Sequence, residues 1–482
     1  MKLSTLFSNQ PDIEITGLAM DSRRVKTGNV FFCIEGLEAD GHDFAGKAVE
    51  AGAVAIVHSK DIPEQKGIVY IKSNHVGDEL NRACDIFNGR PSSSLTVFGV
   101  TGTNGKSTTS SIISDIYSAK EPCGYMGTIA VRYGSYSRVP TLTTPDQIEV
   151  HADLAEMVDH GMKAAAMEVS SHGLAMGRVD TVDFDCAIFT NLTYDHLDYH
   201  KTMENYFEAK KILFKNIKKD GVAVLNADDE ASIDGLKACC NCRYVTYGTG
   251  VLGKADYQAE DISLSTKGTT FVLNCKGERY PVSTNLVALY NIYNLLAAIG
   301  AMHECGMPIE QMLPLIEDIP QVDGRMEIID EGQDFNVIVD YAHTPDGFDK
   351  VFEYADEITK NGGGIIAVFG SAGKRDKVKR KILGQIAGRH CRTVVVTEED
   401  PRNEKAEDIG AEIMSGVKES GCKGIFVPDR IEAIDKAMSL ARKGDLVLIL
   451  GKGDESYMYY EDGRAPFIGD NEAAKRAIKK LV

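Results

Sequence analysis

Residues Val97 to Thr108 read V-F-G-V-T-G-T-N-G-K-S-T, an apolar run that breaks into a Gly-rich turn and restarts with Ile112, Ile113, Ile116 and Tyr117 at helical spacing. Strand, turn and helix in that order build a phosphate-binding loop. Backbone N–H groups curl round phosphate oxygens, and the helix N-terminus adds the positive end of its dipole. Lys106 supplies a mobile cation and the Ser107 hydroxyl can hold Mg²⁺. The nucleotide contacts are expected from Thr101, Gly102, Thr103, Asn104, Gly105, Lys106, Ser107 and Thr108. The strict pattern G-x-x-x-x-G-K-[ST] is not met, because Val100 stands where its first Gly belongs.

A chain of 482 residues is longer than one hydrophobic core organises, so two or three domains are expected. Lys plus Arg number 53 against 71 Asp plus Glu, a net charge of −18. That balance argues against nonspecific nucleic-acid or membrane binding and leaves room for a local basic pocket. The N-terminus M-K-L-S-T-L-F turns polar at once, and no apolar run reaches membrane-spanning length, so a cytoplasmic monomer is expected. The 11 cysteines fit reduced thiols better than a disulfide framework. Cys239, Cys240 and Cys242 cluster, but no second pair completes a zinc site, so packing and turn positions are expected of them.

The fold class expected is α/β in three domains. Residues 1–89 hold short β-rich runs (29–34, 53–58, 68–71), and G-R-P-S-S-S at 89–94 breaks the pattern as a linker. Residues 90–322 carry the phosphate loop on a doubly wound sheet, with a β-rich stretch from about 242 to 283. Residues 323–482 repeat the alternation as a second Rossmann-like sheet, with strands at 337–340, 365–369, 393–397, 424–427 and 446–450. Strands at 164–169 and 186–190 end in E-V-S-S-H-G-L and N-L-T-Y-D-H-L-D-Y-H. In a parallel sheet such ends gather at the carboxyl edge beside the phosphate loop. Glu168 there is the right residue type to hold the metal of a nucleotide triphosphate, and His196 is a second possible ligand. A third domain with charged loops facing the nucleotide points to a bound acceptor, hence a ligase rather than a motor.

The loop G-T-N-G-K-S resembles that of the Mur ligases and folylpolyglutamate synthetases. Together with D-S-R at 21–23, T-T-P at 143–145, Glu168 to Leu174 and Thr190 to His200, the chain resembles the Mur ligase family from Asp21 to Glu455. Within it, the likeness is to the branch that adds a diamino acid to UDP-MurNAc-L-Ala-D-Glu in peptidoglycan synthesis. The resemblance implies that Ser22, Leu37, Glu38 and Ala39 contact the uridine nucleotide, and that Thr143, Thr144, Ser170 and Arg178 bind the muramoyl dipeptide. It implies ATP and Mg²⁺ as cofactors, served by Lys106, Ser107, Glu168 and His196, with Asn291, Arg325 and Asp340 in the nucleotide region. Lys210, in the A-K-x-x-L-F helix, would be carbamylated; a carbamate turns a cation into an anion that helps position Mg²⁺. The implied reaction phosphorylates the D-Glu γ-carboxylate, and the incoming amine then displaces phosphate.

The amino acid is expected to meet Arg375, Asp400, Pro401, Arg402, Gly451 and Glu455. Diaminopimelate-adding members carry D-N-P-R where this chain has E-D-P-R, and G-K-G-H-E where it has G-K-G-D-E. Arg402 and Arg375 can fork onto a distal carboxylate; Asp400 would repel it, or pair with an ammonium. Two arginines against one added aspartate favour meso-diaminopimelate over L-lysine. Met176, where the family often has Gln, and Ala288, where it often has Gly, are smaller departures. The alternatives are another amide ligase on the same scaffold and a non-catalytic nucleotide-binding homologue.

Overall fold

In the first of three α/β units, β1 (Gly17–Ala19), β2 (Asn29–Phe32), β3 (Ala55–His58) and β4 (Val69–Lys72) lie parallel in that order. This computed structural model describes residues 1–36, 39–360 and 362–481. β2 and β3 are buried along their length, which is why both read as unbroken apolar runs.

The central unit is one mixed sheet of eleven strands. In chain order these are β5 (Thr96–Thr101), β6 (Cys123–Met126), β7 (Val131–Tyr133), β8 (Tyr136–Arg138), β9 (Ala164–Glu168), β10 (Cys186–Phe189), β11 (Val222–Asn226), β12 (Arg243–Gly248), β13 (Tyr257–Ser265), β14 (Gly268–Cys275) and β15 (Glu278–Thr284). The spatial order is β15-β14-β13-β12-β11-β10-β5-β9-β6-β7-β8, with β5 in the parallel middle between β10 and β9. Chain order reverses across β5, and that places the phosphate loop in a crevice at the carboxyl edge. The antiparallel β13 to β15 are the β-rich stretch expected near 242–283; the ribbon of β6, β7 and β8 on the other flank was not anticipated.

The third unit contains β16 (Glu327–Ile328), β17 (Asn336–Asp340), β18 (Ile365–Phe369), β19 (Thr393–Val396), β20 (Lys423–Phe426) and β21 (Leu446–Leu450), ordered β16-β17-β21-β18-β19-β20. All but β16 run parallel. A separate hairpin, β22 (Tyr457–Tyr460) and β23 (Gly463–Pro466), follows.

The helix Lys106–Tyr117 departs from the sequence reading. The spacing of Ile112, Ile113, Ile116 and Tyr117 predicts one apolar face, yet the Ser and Thr residues of the helix are buried along with them. The sheet lies on one side and the apolar helix Leu289–Glu304 on the other, and Ser110 returns its hydroxyl to the Lys106 carbonyl at 2.7 Å. Central and third units share apolar packing: Val287 and Ala288 belong to the core of the third sheet, with Phe348, Ile365 and Leu448. Ala288 holds φ at +71°, a conformation that suits Gly, and its methyl is fully buried.

Candidate active site

Gly102 and Gly105 take φ of +151° and +84°, which lets the loop after β5 fold back on itself. A Cβ on Gly105 would fall 2.2 Å from Asn294 Oδ1, so helix Leu289–Glu304 also requires that glycine. Thr190 Oγ1 donates to the Asn104 carbonyl at 2.6 Å, and the Asn104 N–H donates to Asn191 Oδ1 at 3.0 Å. Lys106 Nζ donates to the carbonyls of Gly102 (3.1 Å) and Thr103 (2.8 Å), and burial lowers its pKa against the pull of Glu168 and Asp195. Thr101, Ser107 and Thr108 are buried at the loop's ends. Asn291 donates its amide to the Val287 carbonyl and accepts from Asn294, so it holds the helix start rather than facing open space.

Glu168 closes β9 and is buried. Its Oε1 accepts from the Tyr125 hydroxyl (2.8 Å) and the Thr128 N–H (2.7 Å), and Oε2 accepts from Thr128 Oγ1 (3.2 Å). Thr128 Oγ1, its proton on Glu168, lies 3.0 Å from Thr143 Oγ1 and can accept from that hydroxyl. Thr144 bridges the same strand end, giving its hydroxyl to the Glu168 carbonyl and accepting the Ser170 N–H, both at 2.9 Å. Arg178 donates to the Thr144 carbonyl at 2.8 Å and to the Met176 thioether at 3.1 Å. The expected dipeptide residues thus form one connected cluster against Glu168. Ser170 spends its hydroxyl capping the short helix Ser171–Ala175.

His196 follows β10 at φ +54°, with its ring 3.3 Å from Asp195 and edge-on to His172 at 4.8 Å. Burial pushes both imidazoles down to about 4, so both are neutral at pH 7. Lys210, 1% exposed, projects from helix Met203–Asn216 over the ring of Tyr206, 4.3 Å from its centroid. Burial drives its pKa well below the ordinary value, and the charge of Lys106 adds to the effect. The neutral amine is the form that takes up CO₂ as a carbamate, and burial shifts Lys210 toward it.

The facing edge belongs to the third sheet. Arg325 donates to Asp454 at 3.1 Å and lies 4.3 Å from the Tyr341 ring centroid. Asp340, ending β17, accepts the N–H groups of Met326 and Ala342, both at 2.8 Å, so it anchors the strand end with both oxygens. Between the two edges lies a cleft of about 630 Å³ whose walls include Thr143, His196, Arg375, Asp400, Arg402, Gly451 and Glu455. The units also touch directly, through Asn104 Nδ2 and Asp346 Oδ2 at 3.1 Å and Arg375 and Asp198 at 3.9 Å.

Asp400 has a partner that the sequence does not reveal. It is buried in the cleft wall, and its Oδ1 accepts from Lys452 Nζ at 2.8 Å and from the Tyr459 N–H at 3.0 Å, so one of its two oxygens is engaged by the protein. Lys452, fully buried, also pairs with Glu455; burial opposes its charge, but Glu455 and Asp400 raise its pKa. Glu399, buried, also lines this wall, and burial raises its pKa. Pro401 is buried in the turn, and Arg402, at φ +56°, donates its N–H to the Tyr459 carbonyl at 2.9 Å, which docks hairpin β22–β23 on the turn.

Ser22 lies in the 3-10 turn Ser22–Arg24, capped by Asp21, and does not line this cleft. Ala39 is exposed on a turn closed by a bond from the Gly36 N–H to its carbonyl at 2.9 Å. Leu37 and Glu38 fall outside the described residues. Arg24 reaches Glu149 at 3.0 Å, joining this turn to the central unit.

Sequence reasoning missed Thr128, Tyr125, Asn294, Lys379, Glu399, Lys452 and the tyrosines of β22. Lys452 and Glu399 sat inside quoted loops, and loop position could have flagged them; Tyr125 and Thr128 carry no local signal. Among the described residues no three His, Cys, Asp or Glu side chains converge as a metal cage. A hydroxyl, one carboxylate and one imidazole beside a phosphate loop instead suit Mg²⁺, which keeps waters and takes phosphate oxygens.

A phosphate loop in the parallel middle of one sheet, facing a second, mostly parallel sheet across a polar cleft, is the arrangement of an ATP-dependent ligase. The chain belongs to the Mur ligase family: its residues match the Mur ligase family catalytic domain at 14–85, the Mur ligase middle domain at 100–302 and the Mur ligase glutamate ligase domain at 324–453. It is 39% identical to the UDP-N-acetylmuramoyl-L-alanyl-D-glutamate–2,6-diaminopimelate ligase of Geobacillus kaustophilus, with all of both chains covered. It is 40% identical to the enzyme of the same name from Bacillus licheniformis, with 98% of this chain and 97% of that one covered. A solved structure of a ligase of that name superposes with a TM-score of 0.70 at 30% identity, over 100% of this chain and 99% of the other. The MurF ligase of Thermotoga maritima, solved with ADP, shares the fold at 20% identity and a TM-score of 0.66, over 98% and 100% of the two chains.

Proposed function

We propose that this chain joins meso-diaminopimelate to the D-Glu γ-carboxylate of UDP-MurNAc-L-Ala-D-Glu, at the expense of ATP, in the cytoplasm. The division of labour is 1–89 for the uridine end, 90–322 for ATP and the dipeptide, and 323–482 for the amino acid. The observation that carries this reading is the cleft, which sets Arg375 and Arg402 on the same surface as Glu399 and Glu455. Diaminopimelate bears a carboxylate and an ammonium at its distal end, and that wall offers partners for both. Lys452 lies between Asp400 and Glu455 and offsets part of their charge, so the added aspartate repels the distal carboxylate less than an unpaired one would.

In the first step the loop amides and Lys106 hold the nucleotide phosphates, and the γ-phosphoryl passes to the D-Glu carboxylate, releasing ADP. In the second the amine attacks the acyl carbon and phosphate leaves. Ser107, Glu168 and His196, with Lys210 as its carbamate, would hold Mg²⁺, which neutralises charge on the transferring phosphoryl group. His196 serves as a ligand because its imidazole is neutral at working pH. Arg325 stands where approach of the third unit brings a cation toward phosphate.

The test is phosphate release from ATP, Mg²⁺ and the UDP-dipeptide with meso-diaminopimelate, L-lysine, L-ornithine or no amine, each product confirmed by mass. Turnover with diaminopimelate alone supports the reading. Turnover with lysine instead overturns the assigned amine, and no amine-dependent release overturns the ligase.

A further inference from the structure

Tyr206 touches both halves of the phosphoryl-transfer apparatus. It stands one helical turn before Lys210, on the same face of helix Met203–Asn216, and is 1% exposed. Its hydroxyl donates to Thr103 Oγ1 of the nucleotide loop at 3.2 Å. Thr103 Oγ1 already accepts the Thr193 N–H at 3.0 Å and donates its own proton to the Thr193 carbonyl at 3.2 Å, so the tyrosine supplies the remaining donor. The face of the same ring underlies Lys210 Nζ, 4.3 Å from the centroid. The ring is itself held by His200, 5.1 Å away, and by His196 edge-on at 6.1 Å. His200 is fixed in turn by Ser171 Oγ at 2.9 Å.

We propose that Tyr206 is the positioning residue that ties the nucleotide loop to Lys210, its hydroxyl setting Thr103 and its ring setting the terminal atoms of the lysine. The loop and the lysine helix are separated by about a hundred residues of chain, yet one side chain fixes their spacing. The ring also covers the amine with an apolar floor, so the bound CO₂ of a carbamate is shielded from water on that side. The second half of the proposal rests on the reading that Lys210 is carbamylated; the first half does not.

Two variants separate the halves. Tyr206→Phe keeps the ring and removes the hydroxyl; ATP KM rises about fivefold, the loss of one hydrogen bond, while the KM for diaminopimelate holds. Tyr206→Leu removes the ring. Carbon-13 NMR of the full-length enzyme in ¹³C-bicarbonate then shows a carbamate signal reduced at least about fivefold, present undiminished in Tyr206→Phe, and kcat falls in step. An unchanged ATP KM in the Phe variant overturns the loop link. A full carbamate signal in a Leu variant with wild-type circular dichroism overturns the lysine link. If the Leu variant does not fold, Tyr206→Met takes its place in the carbamate measurement, and Tyr206→Phe decides the loop link on ATP KM. Absence of the signal from the wild-type enzyme overturns the carbamate reading and with it the lysine link, and leaves the loop link to the Phe variant.

Discussion

Two lysines show how the facing edges differ. Lys210 on the central side and Lys452 on the third unit are equally buried, at 1% and 0% exposure. Lys452 lies between Asp400 and Glu455 and is held charged; Lys210 has an aromatic face and a second lysine for neighbours and is driven toward the neutral amine. Burial alone therefore assigns no role to a lysine. Paired carboxylates hold one lysine charged, while burial and a neighbouring lysine outweigh the more distant Asp195 and push the other toward the neutral amine. Among the described residues the central edge leaves its lysine without an ion pair, and the third-unit edge locks its lysine into one.

The sharpest way to break this contrast is Lys210→Met, which keeps a buried, uncharged side chain of similar length and cannot form a carbamate. Turnover falls about a thousandfold, ~4 kcal/mol of transition-state stabilisation, while the thermal midpoint holds; steady-state kinetics beside a melting curve check it. Lys452→Met should do the reverse. It strands Asp400 and Glu455 in the interior and costs about 3 kcal/mol of stability, read by urea denaturation. Arg402→Lys sharpens the functional side. A point charge replaces the fork, and the KM for diaminopimelate rises about tenfold with ATP KM unchanged.

The smallest effect is in pH. His172, His196 and His200 have pKa values depressed to about 4 by burial, below the 6.5 of the unfolded chain. A depressed histidine means the unfolded state binds more protons between those values, so stability is fully present above pH about 6.5 and is lost as pH falls toward about 4. A denaturation series over that window, repeated with His172→Gln, should show a shallower slope in the variant.

The strand, turn and helix of the phosphate loop were legible because each needs only local chemistry: Val97, Phe98 and Val100 for a buried strand, Gly102 and Gly105 for positive φ, Lys106 and Ser107 at the helix start. The parallel strands were legible for the same reason, since burial on both faces leaves unbroken apolar runs. The ribbon β6–β8 and the hairpin β22–β23 were not. Their residues are short, mixed and Tyr-rich, and pair only because tertiary neighbours complete them. The partner of Asp400 was hidden for a related reason: Lys452 lies 52 residues on, in a loop whose own pattern says nothing of where it points. The contact of Asn104 with Asp346 spans 242 residues and has no local trace at all.

The three bonds that hold Glu168 have a further consequence. A carboxylate has about four acceptor directions. Oε1 has spent both of its own on Tyr125 and the Thr128 N–H, and Oε2 has spent one on Thr128 Oγ1. A single lone pair is left, on Oε2. Glu168 can therefore ligate a cation through one oxygen only, and it cannot swing to chelate with both without releasing the loop that carries Thr128.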